Sequence, residues 1–403
     1  MVCMEQLYVS RRKRPLLAIF ETHPVQYHAP VYRKLAEMGV DLDVVYGSDF
    51  SVRGYKDKEF GANFAWDKDL TAGTKCRFLQ PEAESYEKVT GKGIGQALDE
   101  IRPQAALLCG YNHPFDRAAL QECRKRGIPI LLRAETTDHA VCRGWLKSSI
   151  RDSRLRVIYR ECAILLPIGK RSREHYRRLR VPEEKMVDSP YCVDEASFLW
   201  DESARARLRA EQRTRMGIGD REEGIEGGTK WILFSGKLVW RKGPDLLVEA
   251  AGRLRKEGMD VGVVFSGSGE MKTQLKKRCE KLRVPAVFLG FVNQSGLSAV
   301  YHACDLSCLP SREGETWGLV INEALLHGLP VVVSETVGCA PDLVVSDECG
   351  EIFQTGQVEA LAIGVKNVIQ KGLSLERREK CRKAVEPYST RRAAEGILRA
   401  LGK

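Results

Sequence analysis

Residues 309–330 read LPSREGETWGLVINEALLHGLP, and the fold is decided here. The run from Asp305 to Leu309 leads in and predicts the end of a buried strand. A polar turn follows at Ser311 to Gly314, a helix is expected to begin near Gly318, and Pro330 with Val331, Val332 and Val333 opens the next strand. Strand, loop, helix, strand is the unit that builds parallel sheets. In such sheets ligands sit beyond the carboxyl ends of the strands, where loops meet helix N-termini. The amides of Thr316, Trp317, Gly318 and Leu319 would face that edge with the positive end of a helix dipole, which suits a phosphate. Glu315, at the loop, can accept hydrogen bonds from sugar hydroxyls. Glu323 falls about 80° past two full helical turns, on roughly the same face, where it could reach a ribose. The plainer alternative makes Glu315 a helix-terminal charge and Glu323 a surface carboxylate.

The rest of the chain bounds what this unit can belong to. A length of 403 residues accommodates two domains of ordinary size. With 43% hydrophobic and 29% charged residues the composition is that of a globular protein and excludes a disordered one. The net charge of +10 leaves three partners open: nucleic acid, an anionic membrane surface, or phosphorylated small molecules. Thirteen cysteines at irregular spacing, with no zinc-like pattern, predict reduced thiols in the cytoplasm. The apolar run after Arg11, Arg12, Lys13 and Arg14 is too short for a signal peptide or a membrane span.

The first half alternates strand and helix signals, which implies a parallel sheet. Strands are expected at Leu16 to Phe20, Asp41 to Tyr46, Ala105 to Cys109, Ile128 to Arg133 and Ala163 to Ile168. Between the first strand and its helix lies ETHPVQYHAP, which places His23, Gln26 and His28 at a ligand-facing edge, unless the histidines only cap turns. Asp41 and Asp43 have the spacing of a metal-binding DxD, but on an alternating strand they read as structural. Residues 51–90, with Phe60, Phe64 and Trp66, read as a loop-rich insertion near the cleft. The segment 143–180 interleaves basic residues with Trp145, Leu146, Ile150, Leu155, Val157, Ile158 and Tyr159. It can be a solvated helical surface, a face for anionic lipid, or a nucleic-acid groove, although no base-stacking motif accompanies it.

In the second half a strand at Trp231 to Phe234 leads into SGKLVWRKGP, which holds Gly236, Lys237 and Lys242 before a helix that starts at a proline. Two cations at a strand end can offset charge on a departing diphosphate; otherwise they are solvated lysines. Gly267 and Gly269, after the next strand, serve equally as a tight turn or a phosphate contact. The loop 217–230, rich in Gly and Glu, reads as mobile.

Glu315 and Glu323 within ETWGLVINEALLHGLPVV, followed by GCAPDLV and CGEIF, resemble the Glu-seven-residues-Glu motif of glycosyltransferase family 4, retaining enzymes of the GT-B fold. The resemblance is strong over about Trp231 to Phe353. It implies two Rossmann-like α/β domains facing each other across a cleft. The acceptor-side domain would be 1–195, the nucleotide-sugar domain 200–387, and the last helix, 388–403, would return to the first. It implies a metal-independent transfer, with no cofactor, from a nucleotide-diphosphate sugar to a sugar, lipid-linked or small-molecule acceptor. Lys237 (an arginine in the family pattern) and Lys242 would hold the diphosphate, Glu315 the sugar, and Glu323 the ribose. Val292 in LGFVNQ would line the base, and Glu135 takes the cleft position where the family carries a histidine. The expected setting is the cytoplasm, at most against the inner membrane face, with no nucleic-acid partner. The alternatives are a nucleotide-sugar epimerase of the same fold or a basic binding protein without catalysis.

Overall fold

The computed structural model describes residues 16–57, 62–64, 67–141, 144–218 and 228–402. The basic run 11–14, the aromatic positions Phe60 and Trp66, and the centre of the 217–230 loop lie outside the described residues.

Eight strands come from the first half: β1 Leu16–Glu21, β2 Asp41–Tyr46, β3 Tyr55–Asp57, β4 Ala62–Phe64, β5 Lys75–Phe78, β6 Ala105–Leu108, β7 Ile130–Leu132 and β8 Ile164–Leu165. Six come from the second: β9 Lys230–Ser235, β10 Val261–Ser266, β11 Ala286–Gly290, β12 Leu306–Leu309, β13 Val331–Ser334 and β14 Gly350–Phe353. Two six-stranded sheets result, in the orders β5-β2-β1-β6-β7-β8 and β11-β10-β9-β12-β13-β14, with every described pairing parallel. The short pair β3–β4 is antiparallel and separate. Continuous apolar runs such as LSCL and VVVS suit strands covered on both faces by helices. The strand order of each sheet reverses once, beside its first strand, and opens a crevice there: between β1 and β6 in one, between β9 and β12 in the other.

Apolar clusters fill both faces of each sheet, and two of them cross the boundary between the halves. Tyr191, Val193 and Phe198, on the segment that leaves the first half, pack in the second core. Ala393, Ala394, Ile397 and Ala400, on the final helix Thr390–Leu401, pack in the first. The two crossings are laced together: Thr390 donates through N and Oγ1 to Glu195 Oε1 and Oε2 at 2.9 and 2.8 Å. No helix among the described residues is long and apolar enough to cross a membrane. The described cysteines are all free.

Three sequence expectations need correction. The 51–90 segment is more than loop, because Lys75–Phe78 joins the first sheet as its edge strand. Its two cations cover the buried Asp43: Arg77 forks onto the carboxylate at 3.0 and 2.8 Å, and Lys75 lies 2.7 Å away. A helix at Ile94–Ile101, unpredicted, buries Ile94, Ala97, Leu98 and Ile101 at helical spacing. Asp305 is outside β12 and accepts from Trp231 N at 2.7 Å while pairing with Arg209 and Arg213.

Asp43→Ala should lower unfolding stability in urea by about 3 kcal/mol, at the low end for a broken buried pair because Arg77 keeps Glu100 and some solvent. A change below about 0.5 kcal/mol would show that Asp43 does not hold the edge strand.

Candidate active site

In the second sheet, the loops after β9 and β12 meet over the crevice. Gly243, at φ +68°, has space only for hydrogen, since a Cβ there would stand 2.3 Å from the Pro310 carbonyl oxygen. That approach brings 236–243 against 310–315. Arg312 N donates to Arg241 O at 2.8 Å. The Arg312 guanidinium forks onto Asp245 at 2.8 and 2.7 Å and lies over the Trp240 ring at 5.0 Å. Glu315, thus placed, is buried, pairs with Lys242 Nζ, and accepts from Ser311 Oγ at 3.1 Å. Lys237 follows Gly236 in the same loop, and Leu238 N donates to Ser268 O at 2.8 Å, so the Gly267–Gly269 turn packs backbone to backbone on it.

The helix after this loop is Leu319–Leu326, with Gly318 as its N-cap at φ +101°. Among the described residues the amides of Thr316, Trp317, Gly318 and Leu319 have no protein acceptor, as donors awaiting an anion would be. Trp317 contributes only through its backbone. Its indole is buried, donates to Asn322 Oδ1 at 2.8 Å, and packs edge-on to Tyr191 of the crossing segment. Leu319 is likewise in the core, and Val292 is half-buried against that same core beyond β11. Glu323 is buried rather than a surface carboxylate, with Tyr301 Oη donating to Oε2 at 2.7 Å. Burial pushes its carboxyl up to about 7, against the pull of the tyrosine hydrogen bond. Tyr27, from the first half, feels that carboxyl as well: burial and then Glu323 raise its phenol.

In the first sheet, β1 ends at Glu21, which is buried and holds His28 Nδ1. Glu21 Oε2 and Gln26 Oε1 are buried acceptors with no partner among the described residues. Thr22 Oγ1 lies 2.9 Å from His23 Nδ1, and the His23 ring sits 4.6 Å from Phe50. Burial holds His23 down at about 4, so the ring is neutral near pH 7. A cavity of about 230 Å³ opens here, lined by Glu21, Thr22, Asn112, His113, Asp116 and Glu135 among others. Glu21, His28 and Cys109 bring ligand atoms within 4.8 Å of one another, a group that could hold a metal and that the sequence spacing did not reveal. Burial, followed by Glu21, raises the Cys109 thiol, which keeps its proton and stands 3.1 Å from Tyr32 Oη. A neutral thiol is a poor metal ligand.

The two edges face one another. Glu135 accepts from Tyr191 Oη at one oxygen and from Thr316 Oγ1 at the other, the latter at 2.8 Å. Gly314 N donates to Ala140 O at 2.5 Å. Asp67, in the middle of the 51–90 segment, accepts from Ser295 N at 3.1 Å. Glu315, Lys242 and the amides after Glu315 therefore come together, with Glu323 behind them and Glu135 in contact from the opposite side. His23, Gln26 and His28 sit on the first-domain edge. Sequence reasoning missed Glu21 and Tyr27, within a loop it had already singled out, and Tyr301.

Residues 219–387 match the family model of glycosyl transferases group 1. An uncharacterized glycosyltransferase of Methanocaldococcus jannaschii is 34% identical over 151 residues, 37% of this chain and 38% of that protein. A GDP-mannose-dependent alpha-(1-6)-phosphatidylinositol monomannoside mannosyltransferase of Mycolicibacterium smegmatis is 27% identical over 244 residues, 59% of this chain and 60% of that one. The matched region thus spans 38% and 60% of these two relatives. Among solved structures, a glycosyltransferase from Rickettsia africae aligns with a TM-score of 0.69 at 13% identity, covering 96% of this chain and 98% of the other. Anabaena HepE in complex with UDP aligns at 0.69 and 16%, covering 96% and 99%. The fold is GT-B: two Rossmann-like domains facing across a cleft.

The Glu323 carboxyl titrates near 7 in the folded chain against 4.5 ordinarily, so the folded state holds an extra proton between those values. Stability then falls as pH rises from about 4.5 to about 7 and stays flat beyond. Glu323→Gln should lose that slope and, at pH 8, gain up to roughly 3 kcal/mol over wild type. Thermal melts of both proteins at pH 5 and pH 8 check this, and equal slopes would refute it.

Proposed function

We propose that the chain is a retaining glycosyltransferase of the family 4 kind. It would transfer a sugar from a nucleotide-diphosphate sugar to a hydroxyl of a sugar, lipid-linked or small-molecule acceptor, without a metal. The observation that carries this reading is the buried Glu315 paired with Lys242 beside unpaired amides, eight residues before a buried Glu323, all within the group 1 domain.

The diphosphate sits against Lys237, Lys242 and the amides of Thr316 to Leu319, a preorganised positive field that stabilises the leaving group as its charge grows. Lys242 is paired with Glu315, which holds the cation beside these amides, and the carboxylate can accept from the sugar hydroxyls. Glu323 takes the ribose hydroxyls, and Val292 lies against the base. On the facing edge Glu21, Gln26, His28 and Glu135 offer polar contacts, and His23 a neutral imidazole, to the hydroxyl that attacks. The bond from the anomeric carbon to the phosphate oxygen breaks. The acceptor oxygen bonds that carbon from the same face, and the departing phosphate takes the acceptor proton.

UDP-, GDP- and ADP-sugars, each with EDTA, are tested by thermal shift on wild type and Glu323→Gln. A donor at 100 times its dissociation constant should add about 2.7 kcal/mol to wild type and much less to the variant, whose own melting point is higher. Silence from every nucleotide, with EDTA and with a divalent cation alike, refutes the donor site, and a shift seen only with the cation refutes metal independence. Glu315→Gln should keep the nucleotide shift while donor turnover falls about 100-fold or more. Undiminished turnover would remove Glu315 from the chemistry.

A further inference from the structure

A surface outside the cleft has a composition that the transferase reading leaves unused. The helix Trp145–Glu161 turns Leu155 and Tyr159 into the first core. Leu155 lies nine residues beyond Leu146, about 180° around the helix, so Leu146 points the opposite way. Leu146, Ile150 and Val157 share that outer face within about 40°, and they are 58%, 57% and 54% exposed. Trp145, at the start of the same helix, is 78% exposed. Lys147 and Arg154 flank this stripe on one side, Arg156 and Arg160 on the other.

These cations differ from their neighbours in having no acid. Arg124, Arg173, Arg177 and Arg178 are all in ion pairs, and they occupy the nearby Glu161, Glu183 and Asp152. Lys147, Arg154, Arg156, Arg160 and Arg180 make no ion pair among the described residues. Arg156, Arg160, Arg180 and Lys185 line a cavity of about 550 Å³ with Tyr159, and no acid is among its lining residues. It shares no lining residue with the cleft cavity.

We infer that this helix docks on an anionic lipid bilayer, with Trp145, Leu146, Ile150 and Val157 entering the acyl boundary and the four-cation cavity taking a lipid phosphate. Hydrocarbon is what rewards exposed aliphatic side chains between cationic flanks. A nucleic acid would use the cations and leave Leu146, Ile150 and Val157 wet. A second copy of this chain would set like charges against each other. Trp145 lies five residues beyond Ala140, which touches the donor loop at Gly314, so a docked bilayer would adjoin the cleft. The inference stands apart from the transferase reading.

Flotation of the full chain with phosphatidylcholine vesicles, with and without phosphatidylglycerol, tests it. The chain should float only with phosphatidylglycerol present. Arg156→Ala and Arg160→Ala should each weaken partition about fivefold, the equivalent of about 1 kcal/mol per cation near such a surface. The pair Ile150→Ser and Val157→Ser should abolish flotation while melting temperature and nucleotide response stay at wild-type values. Failure of wild type to float, or flotation of the serine variant like wild type, overturns the inference. So does binding of an RNA oligomer that the serine variant retains while vesicles are ignored.

Discussion

The donor edge depends on one steric constraint. The loop from Pro310 to Gly318 is gripped between two backbones that approach closer than any side chain permits. Gly243 lies under the Pro310 carbonyl, and on the far side a Cβ at Gly338 would stand 1.9 Å from the Thr316 carbonyl oxygen. With both glycines in place, Gly338 N donates to Glu315 O and Cys339 N to Trp317 O, at 3.1 and 2.9 Å. The Glu315 and Trp317 carbonyls are thereby consumed from behind, while the amides of Thr316 to Leu319 have no protein acceptor among the described residues. Lys242 reaches Glu315 because its neighbour Gly243 is pressed against the loop. The electrostatics of the site rest on this backbone packing, which the Arg312–Asp245 pair reinforces.

Much of this was legible in sequence because it is local. The spacing of Glu315 and Glu323, the glycine after the tryptophan and the lysines after β9 all lie within single strand–loop–helix units, whose geometry periodicity and turn chemistry constrain. Ile94–Ile101 was equally local, with four apolar positions at helical spacing, but about two turns are a short window for periodicity to stand out. What escaped for a physical reason is long-range. Glu135 meets Thr316 across 181 residues, and nothing near Glu135 announces that partner. The Trp317 indole is an aromatic at a helix start, and only the assembled crossing segment decides that it packs on Tyr191. The edge strand Lys75–Phe78 is short and alternates cation with apolar residue. Its two cations gain a reason only once Asp43 is seen buried beside them.

Burial explains why the site's acids are of different kinds. Glu315 has a cation and a hydroxyl at hand, whereas Glu323 has a single tyrosine and an apolar surround, and its carboxyl rises toward neutral pH. A buried carboxyl of this sort weakens the folded state for as long as it is ionised. Natural chains tolerate such a cost where a ligand later supplies the missing donors. The unpartnered oxygens of Glu21 and Gln26 on the facing edge are the same kind of debt.

The chain passes between the domains twice, once on the way out near Tyr191 to Phe198 and once on the way back before Thr390, and Glu195 ties the two passages together through Thr390. A single connecting strand would act as a swivel, free to turn in any direction. Two strands bound side by side act as a door hinge. Twisting the two passages past each other would strain the Glu195 bonds. The wiring of the chain thus restricts how one domain can turn on the other more than a single connection would.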